Sequence, residues 1–165
     1  MTRSWLCGLA IMLASGIPAA AADVAPLIAR IKAVGKEGKG NLDASKAWRE
    51  LIKEGPAALP DILAGLDDAS PIAANWLRSA VDAIADRALA SGKLTPGPLE
   101  KFAQETRHAG AARRLAFEWL VKADPAARDR LLPTLLNDPG SELRREAVEV
   151  QLKKGALACT VDSRT

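Results

Sequence analysis

The stretch RSAVD at residues 78–82 is written twice more with the same grammar, as RLAFE at 114–118 and REAVE at 145–149. Each copy places an arginine, an alanine two residues on, an apolar residue and then an acid. A short pattern that returns at long intervals reports a supersecondary unit that cannot bury its own apolar face and is therefore stacked on copies of itself. Setting Ala80, Ala116 and Ala147 in one column brings Ala47, within SKAWRE, into the same column, at intervals of 33, 36 and 31 residues. Those intervals fall within the range of helical repeat arrays. A second comparison agrees: LIKEGPAA at 51–58 and LVKADPAA at 120–127 share five identities and one Ile/Val exchange at an offset of 69, two units along.

The units are helical. The chain has no Tyr and two Phe, and no sustained alternation of apolar and polar residues marks a strand. Ala, Leu, Arg, Lys and Glu predominate, the residues that lose least on entering a helix. The clearest helix is expected from Pro71 to about Ala90, with Ser70 as its cap, Pro71 at the first position and Gly92 beyond the end. Its apolar stripe runs through Ile72, Ala73, Trp76, Leu77, Ala80, Val81, Ile84, Ala85, Ala88 and Leu89. Shorter helices are expected in VAPLIARIKAV, in GPAALPDILAGLDD with Leu59, Ile62, Leu63 and Leu66 inward, in TPGPLEKFAQET with Leu99 and Phe102, and in DRLLPTLLND with Leu131, Leu132, Leu135 and Leu136. Each short helix precedes, across a turn, a long one carrying the column alanine. The expected architecture is all-α, a right-handed α-solenoid of about four stacked antiparallel helical hairpins.

This pattern resembles the HEAT-repeat family. The last unit, RLLPTLLNDPGSELRREAVEVQLKKG, carries the match through its Leu-Pro helix, an Asp-Pro turn at Asp138 and Pro139, and Arg144 ahead of Ala147 and Val148. The resemblance implies that Asp138 and Arg144 are structural, tying one turn to the next unit. The second unit has a longer turn, and the third replaces the Asp-Pro turn with RHAGAA. The resemblance spans roughly residues 24–155 and implies a fold and a habit of binding other proteins, with no activity attached.

The start of the chain reads differently. Residues 1–22 combine one positive residue, Arg3, an uncharged apolar run from Trp5 to Ile17, and Ala20, Ala21 and Ala22, the pattern of a secretory signal peptide. That run is shorter than the roughly 20 apolar residues of a membrane span, and a retained anchor or a buried first helix is the alternative. Cys7 lies inside the run instead of behind it, which argues against a lipoprotein signal. The expected organisation is a signal peptide at 1–22, a helical repeat domain at 23–155 and an atypical or disordered tail at 156–165. ALACTVDSRT continues no stripe and supplies no evident cap helix, so a longer array is an equal expectation.

Without its first 22 residues the formal charge falls from +3 to +2, too small a surplus to draw the chain to nucleic acid or an anionic membrane. Cys159 is then the only cysteine, which removes an internal disulfide and leaves an intermolecular one open. No catalytic constellation is evident. His108, the single histidine, is read as a solvated turn residue, and Asp67 and Asp68 as caps of the turn that follows them. GKEGKG at 35–40 lacks the spacing and hydroxyl of a phosphate loop. No cofactor, metal or catalytic residue is expected. Trp48, Trp76 and Trp119 all fall on long helices, where packing between hairpins or an exposed binding anchor would each explain them.

The repeated motif supplies the candidate binding residues. Side chains four apart share a helix face, which gives the stripes Ser45, Arg49 and Lys53; Arg78, Asp82 and Asp86; Arg114, Glu118 and Lys122; and Arg145, Glu149 and Lys153. Stacked units would set these side by side as a charged lattice, with Arg78, Asp82, Arg114, Glu118, Lys122, Arg145, Glu149 and Lys153 as partner contacts. The alternative is a solvated face stitched by local ion pairs. The functional expectation is an exported module, periplasmic or extracellular, that binds or scaffolds another protein, with no membrane span once the signal is removed. Two alternatives accompany it: the N-terminal array of a larger envelope protein or enzyme, and a nucleic-acid-binding helical repeat, which export and the small charge oppose.

Overall fold

The computed structural model describes residues 23–162 in backbone and 23–155 in side chains. The signal peptide read at 1–22 lies outside the described residues, as does the side chain of Cys159. Among the described residues the chain is helical with no strand. In order come α1 (Ala25–Lys32), α2 (Asn41–Leu51), α3 (Leu59–Ala64), α4 (Pro71–Ala90), α5 (Pro96–Gln104), α6 (Gly110–Ala123), α7 (Ala126–Leu131) and α8 (Ser141–Asp162).

Sequence-adjacent helices pack as pairs. α1 lies against α2, α3 against α4, α5 against α6, and the 3-10 turn that follows α7 against α8. Successive long helices also touch, α2 on α4, α4 on α6 and α6 on α8. The column alanines Ala47, Ala80, Ala116 and Ala147 are all fully buried. One apolar core runs from Val24 to Ala147.

α4 begins and ends where its caps predict. Ser70 Oγ accepts the Ala73 N–H at 3.3 Å, and Gly92 follows the helix in the left-handed region at φ 67°. Ile72 departs from the expected stripe. It sits one residue inside the N-terminus, ahead of the face that Ala73 and Leu77 turn inward, and is exposed. The segment DRLLPTLLND is also not one helix. α7 ends at Leu131 and gives way to a 3-10 turn over Leu132–Leu135, because Pro133 has no N–H for an α-helical bond and crowds the preceding turn. Leu131, Leu132 and Leu135 remain buried through the change of winding. At the other end, α8 continues to Asp162, through most of the stretch read as a tail. Ala156, Leu157 and Ala158 are strong helix formers, and helix propensity carries the backbone on where the apolar stripe stops.

Candidate functional site

Two edges of the fold carry polar chemistry: the turns between paired helices, and the outward faces of the long helices.

Along the turns, acids of one pair reach groups of the neighbouring pair. Asp68, before α4, pairs with Lys32 at the end of α1. Asp67 faces the opposite way, with Oδ1 accepting the Ala109 N–H at 2.8 Å and Oδ2 lying 2.7 Å from His108 Nδ1. Neither acid caps the turn that follows it in sequence; both are spent on neighbouring pairs. His108 is likewise no solvated residue. Its side chain is 10% exposed, its ring stacks on Phe102 with centroids 4.1 Å apart, and Nε2 lies 3.3 Å from Glu105. A lone histidine in a Gly-containing turn gives no warning of this, because Asp67 is 41 residues away in sequence.

Arg113 and Asp138 form the most buried of these links. Arg113 Nη1 and Nη2 donate to the two carboxylate oxygens of Asp138 at 2.8 and 2.5 Å, and Nε donates to the Ala103 carbonyl at 2.9 Å. Asp138 Oδ1 also accepts the Gly140 N–H at 2.7 Å. The side chains are 1% and 4% exposed, so both charges leave water and are compensated by a planar fork-to-fork contact. The resemblance implies that Asp138 and Arg144 tie one turn to the next unit. The residue that ties the Asp138 carboxylate to the adjacent pair is Arg113, however, while Arg144 donates to the Asp138 backbone carbonyl at 2.6 Å within its own pair. The missed signal was positional: Arg113 and Arg144 each stand three residues before a column alanine.

On the long helices the charged stripes meet in part. Arg78 on α4 reaches Glu118 on α6 at 3.1 Å, and Arg114 reaches the same carboxylate at 2.9 Å. Glu118 is thereby shared by two guanidiniums, and its bond to Arg114 is the chief cause holding that arginine's pKa above its ordinary value. Asp82 does not bind an arginine; its Oδ1 accepts the indole N–H of Trp119 at 2.9 Å, and Lys122 Nζ sits 3.7 Å from the Trp119 ring centroid. Glu149 pairs with Lys153 at 2.8 Å along α8, which holds its carboxyl below the usual range. The lattice does not extend to the first pair. Arg49 and Lys53 enter no ion pair among the described residues, and α2 meets α4 through Trp48 Nε1 donating to Ser79 Oγ at 2.9 Å. Trp48 and Trp76 sit edge to face at 6.3 Å, so the tryptophans serve the packing between pairs. Arg87, absent from the sequence reading, donates to the Ile52 and Glu54 carbonyls at 2.6 Å and closes the C-terminus of α2.

The stripes of α6 and α8 border one concavity of about 360 Å³, lined by Arg114, Arg128, Arg145, Glu146, Glu149 and Lys153 with Val150. Arg128 pairs with Glu146 at 3.2 Å, and Arg114 and Lys153 have the acids named above. Arg145 has no acid within ion-pair distance among the described residues. Arg145 is thus the groove's guanidinium without a direct ion pair among the described residues, although its charge helps hold the Glu149 carboxyl down.

No family model matches the chain, and comparison with curated proteins and with solved structures finds no match. Among the described residues no helix is long and apolar enough to cross a membrane.

Proposed function

We propose that the chain is an exported scaffold of HEAT type, acting in the periplasm or outside the cell, that holds another protein against the faces of its long helices and carries no catalysis of its own. In this reading the four helix pairs form a right-handed α-solenoid of antiparallel hairpins, with the column alanines at its seams. The reading is supported by the pairwise packing of α1 to α8, the burial of all four column alanines and the acid-to-base links between neighbouring turns. The observation that carries the binding function is the groove between α6 and α8, where Arg145 enters no ion pair among the described residues. A guanidinium without a direct ion pair beside paired charges favours a partner that brings a carboxylate, since the bidentate contact adds geometry as well as charge.

The test is affinity capture from an envelope extract of the host with three baits: the unchanged protein, the Arg114→Glu/Arg145→Glu variant, and Lys93→Glu, whose lysine lines a different groove. A partner held by the first and third baits and lost by the second supports the reading. A partner held equally by all three, or by none, contradicts it.

A further inference from the structure

Exposed large apolar side chains concentrate on the outermost pairs. Leu42 on α2 is 74% exposed, Val148 and Leu152 on α8 are 41% and 69% exposed, and Ile72 is the only other such residue among those described. Val148 and Leu152 line an open groove of about 630 Å³ along α8 with Ser141, Arg144, Arg145 and Glu149. Spacings of three and four put these residues on one side of the helix, while Leu143 and Ala147 are buried on the other.

The seams inside the molecule show what such a side of a long helix accepts. At the seam between α6 and α8, the arginine three residues before the column alanine reaches forward to an acid in the next turn, Asp138, nine residues before Ala147. Lys32 and Asp68 repeat the direction, base on the earlier pair and acid on the later, whereas Asp67 and His108 run the other way between the second and third pairs. In α8 the arginine in that position is Arg144, which is exposed and has no carboxylate partner among the described residues. The complement is present at the other end of the same chain. Glu37 stands in the α1–α2 turn ten residues before Ala47, exposed, unpaired among the described residues and held at φ 59°, a backbone region that non-glycine residues rarely occupy. Leu42 lies five residues further on.

We propose that the protein associates head to tail with a second copy: the α1–α2 pair of one copy packs on α8 of the other, Leu42 meets Val148 and Leu152, and Glu37 accepts from Arg144. The contact repeats between molecules the acid-to-base link already made between pairs, and it goes beyond partner binding while resting on the reading of the pairs as a stacked array. Because the two surfaces differ, the association is heterologous and adds copies in a row.

The experiment is sedimentation velocity on protein purified from cells expressing the full chain, at rising concentration, with Leu42→Glu, Leu152→Glu and Glu37→Arg/Arg144→Glu variants and circular dichroism as a folding control. The unchanged protein should pass from monomer through dimer to longer species. Either leucine variant alone should lose association by more than about tenfold in apparent Kd, because a carboxylate is stranded against apolar surface. An equimolar mixture of the two leucine variants should form dimers and stop there, since each retains one intact end, and the charge-swapped double variant should associate again. A monomer at every concentration overturns the proposal. So does a Leu42→Glu variant that associates like the unchanged protein, the result expected if α8 packs on a second α8. Arg145 borders both grooves while Leu42 borders neither, so an unchanged protein and a Leu42→Glu variant that stay monomeric alike while partner capture by the Arg114 and Arg145 groove persists refute this proposal alone.

Discussion

Arg113 on α6 and Asp138 before α8 share a two-bond contact at 2.8 and 2.5 Å with almost no exposure to water. Removing either partner leaves a buried charge with nothing to answer it. Asp138→Ala and Arg113→Ala should each lower the unfolding free energy by about 3–5 kcal/mol. The double variant should lose much less than the two singles together, which a denaturant double-mutant cycle measures directly.

The column alanines make a second prediction. Ala80 and Ala147 have no exposed surface, and their helices α4 and α8 both pack on α6. Replacement by Leu adds volume that the seam must absorb, at a cost of about 1–3 kcal/mol. Unchanged thermal stability for both variants would show that the register of the repeats is wrong.

Gly140 and Gly110 bring the starts of α8 and α6 together. A Cβ at Gly140 would sit 3.2 Å from Gly110 Cα and 3.0 Å from Asp138 Oδ1, so both backbone and clamp would have to shift. Because Gly110 Cα is backbone and Asp138 Oδ1 is held by Arg113, neither yields easily, and Gly140→Ala should destabilise. Gly155, inside α8, has open space around its Cβ position, and Gly155→Ala should stabilise by about 0.4–1 kcal/mol through the unfolded state. Thermal melts of the two variants should move in opposite directions.

Acid sensitivity follows from the surface carboxylates. Hydrogen bonds from Arg30 to Asp43, Lys32 to Asp68, Arg107 to Glu105 and Lys153 to Glu149 hold all four pKa values below their ordinary range. A depressed folded-state pKa gives stability that is complete above the unfolded-state value and is lost as pH falls through the folded-state one. Melting temperature should thus be flat from neutral pH down to the ordinary carboxylate range and fall below it. The pairs are exposed, so the drop is modest and salt shrinks it. Asp43→Asn together with Glu149→Gln should flatten it further.

Local elements were the most legible part of the sequence. Ser70, Pro71 and Gly92 mark both ends of α4 because capping is a short-range interaction, and the column alanines predicted burial because an alanine recurring on an apolar stripe has little other use. The site was less legible. Arg78 and Arg114 do converge on Glu118, yet Asp82 is taken by the Trp119 indole, a choice set by how α4 and α6 rotate against each other. His108 looked solvated because Asp67 lies on another helix pair, and Arg113 went unremarked because its partner is 25 residues ahead. Contacts made across a seam depend on stacking geometry that spacing alone does not encode.

The stacked array is tested most directly by hydrogen exchange on Asp138→Ala, residue by residue. In an array each pair depends on its neighbours only, so protection should fall in α6, α7 and α8 while α1 and α2 keep theirs. A uniform loss of protection from α1 to α8 would mean one globally cooperative helical domain and would contradict the array.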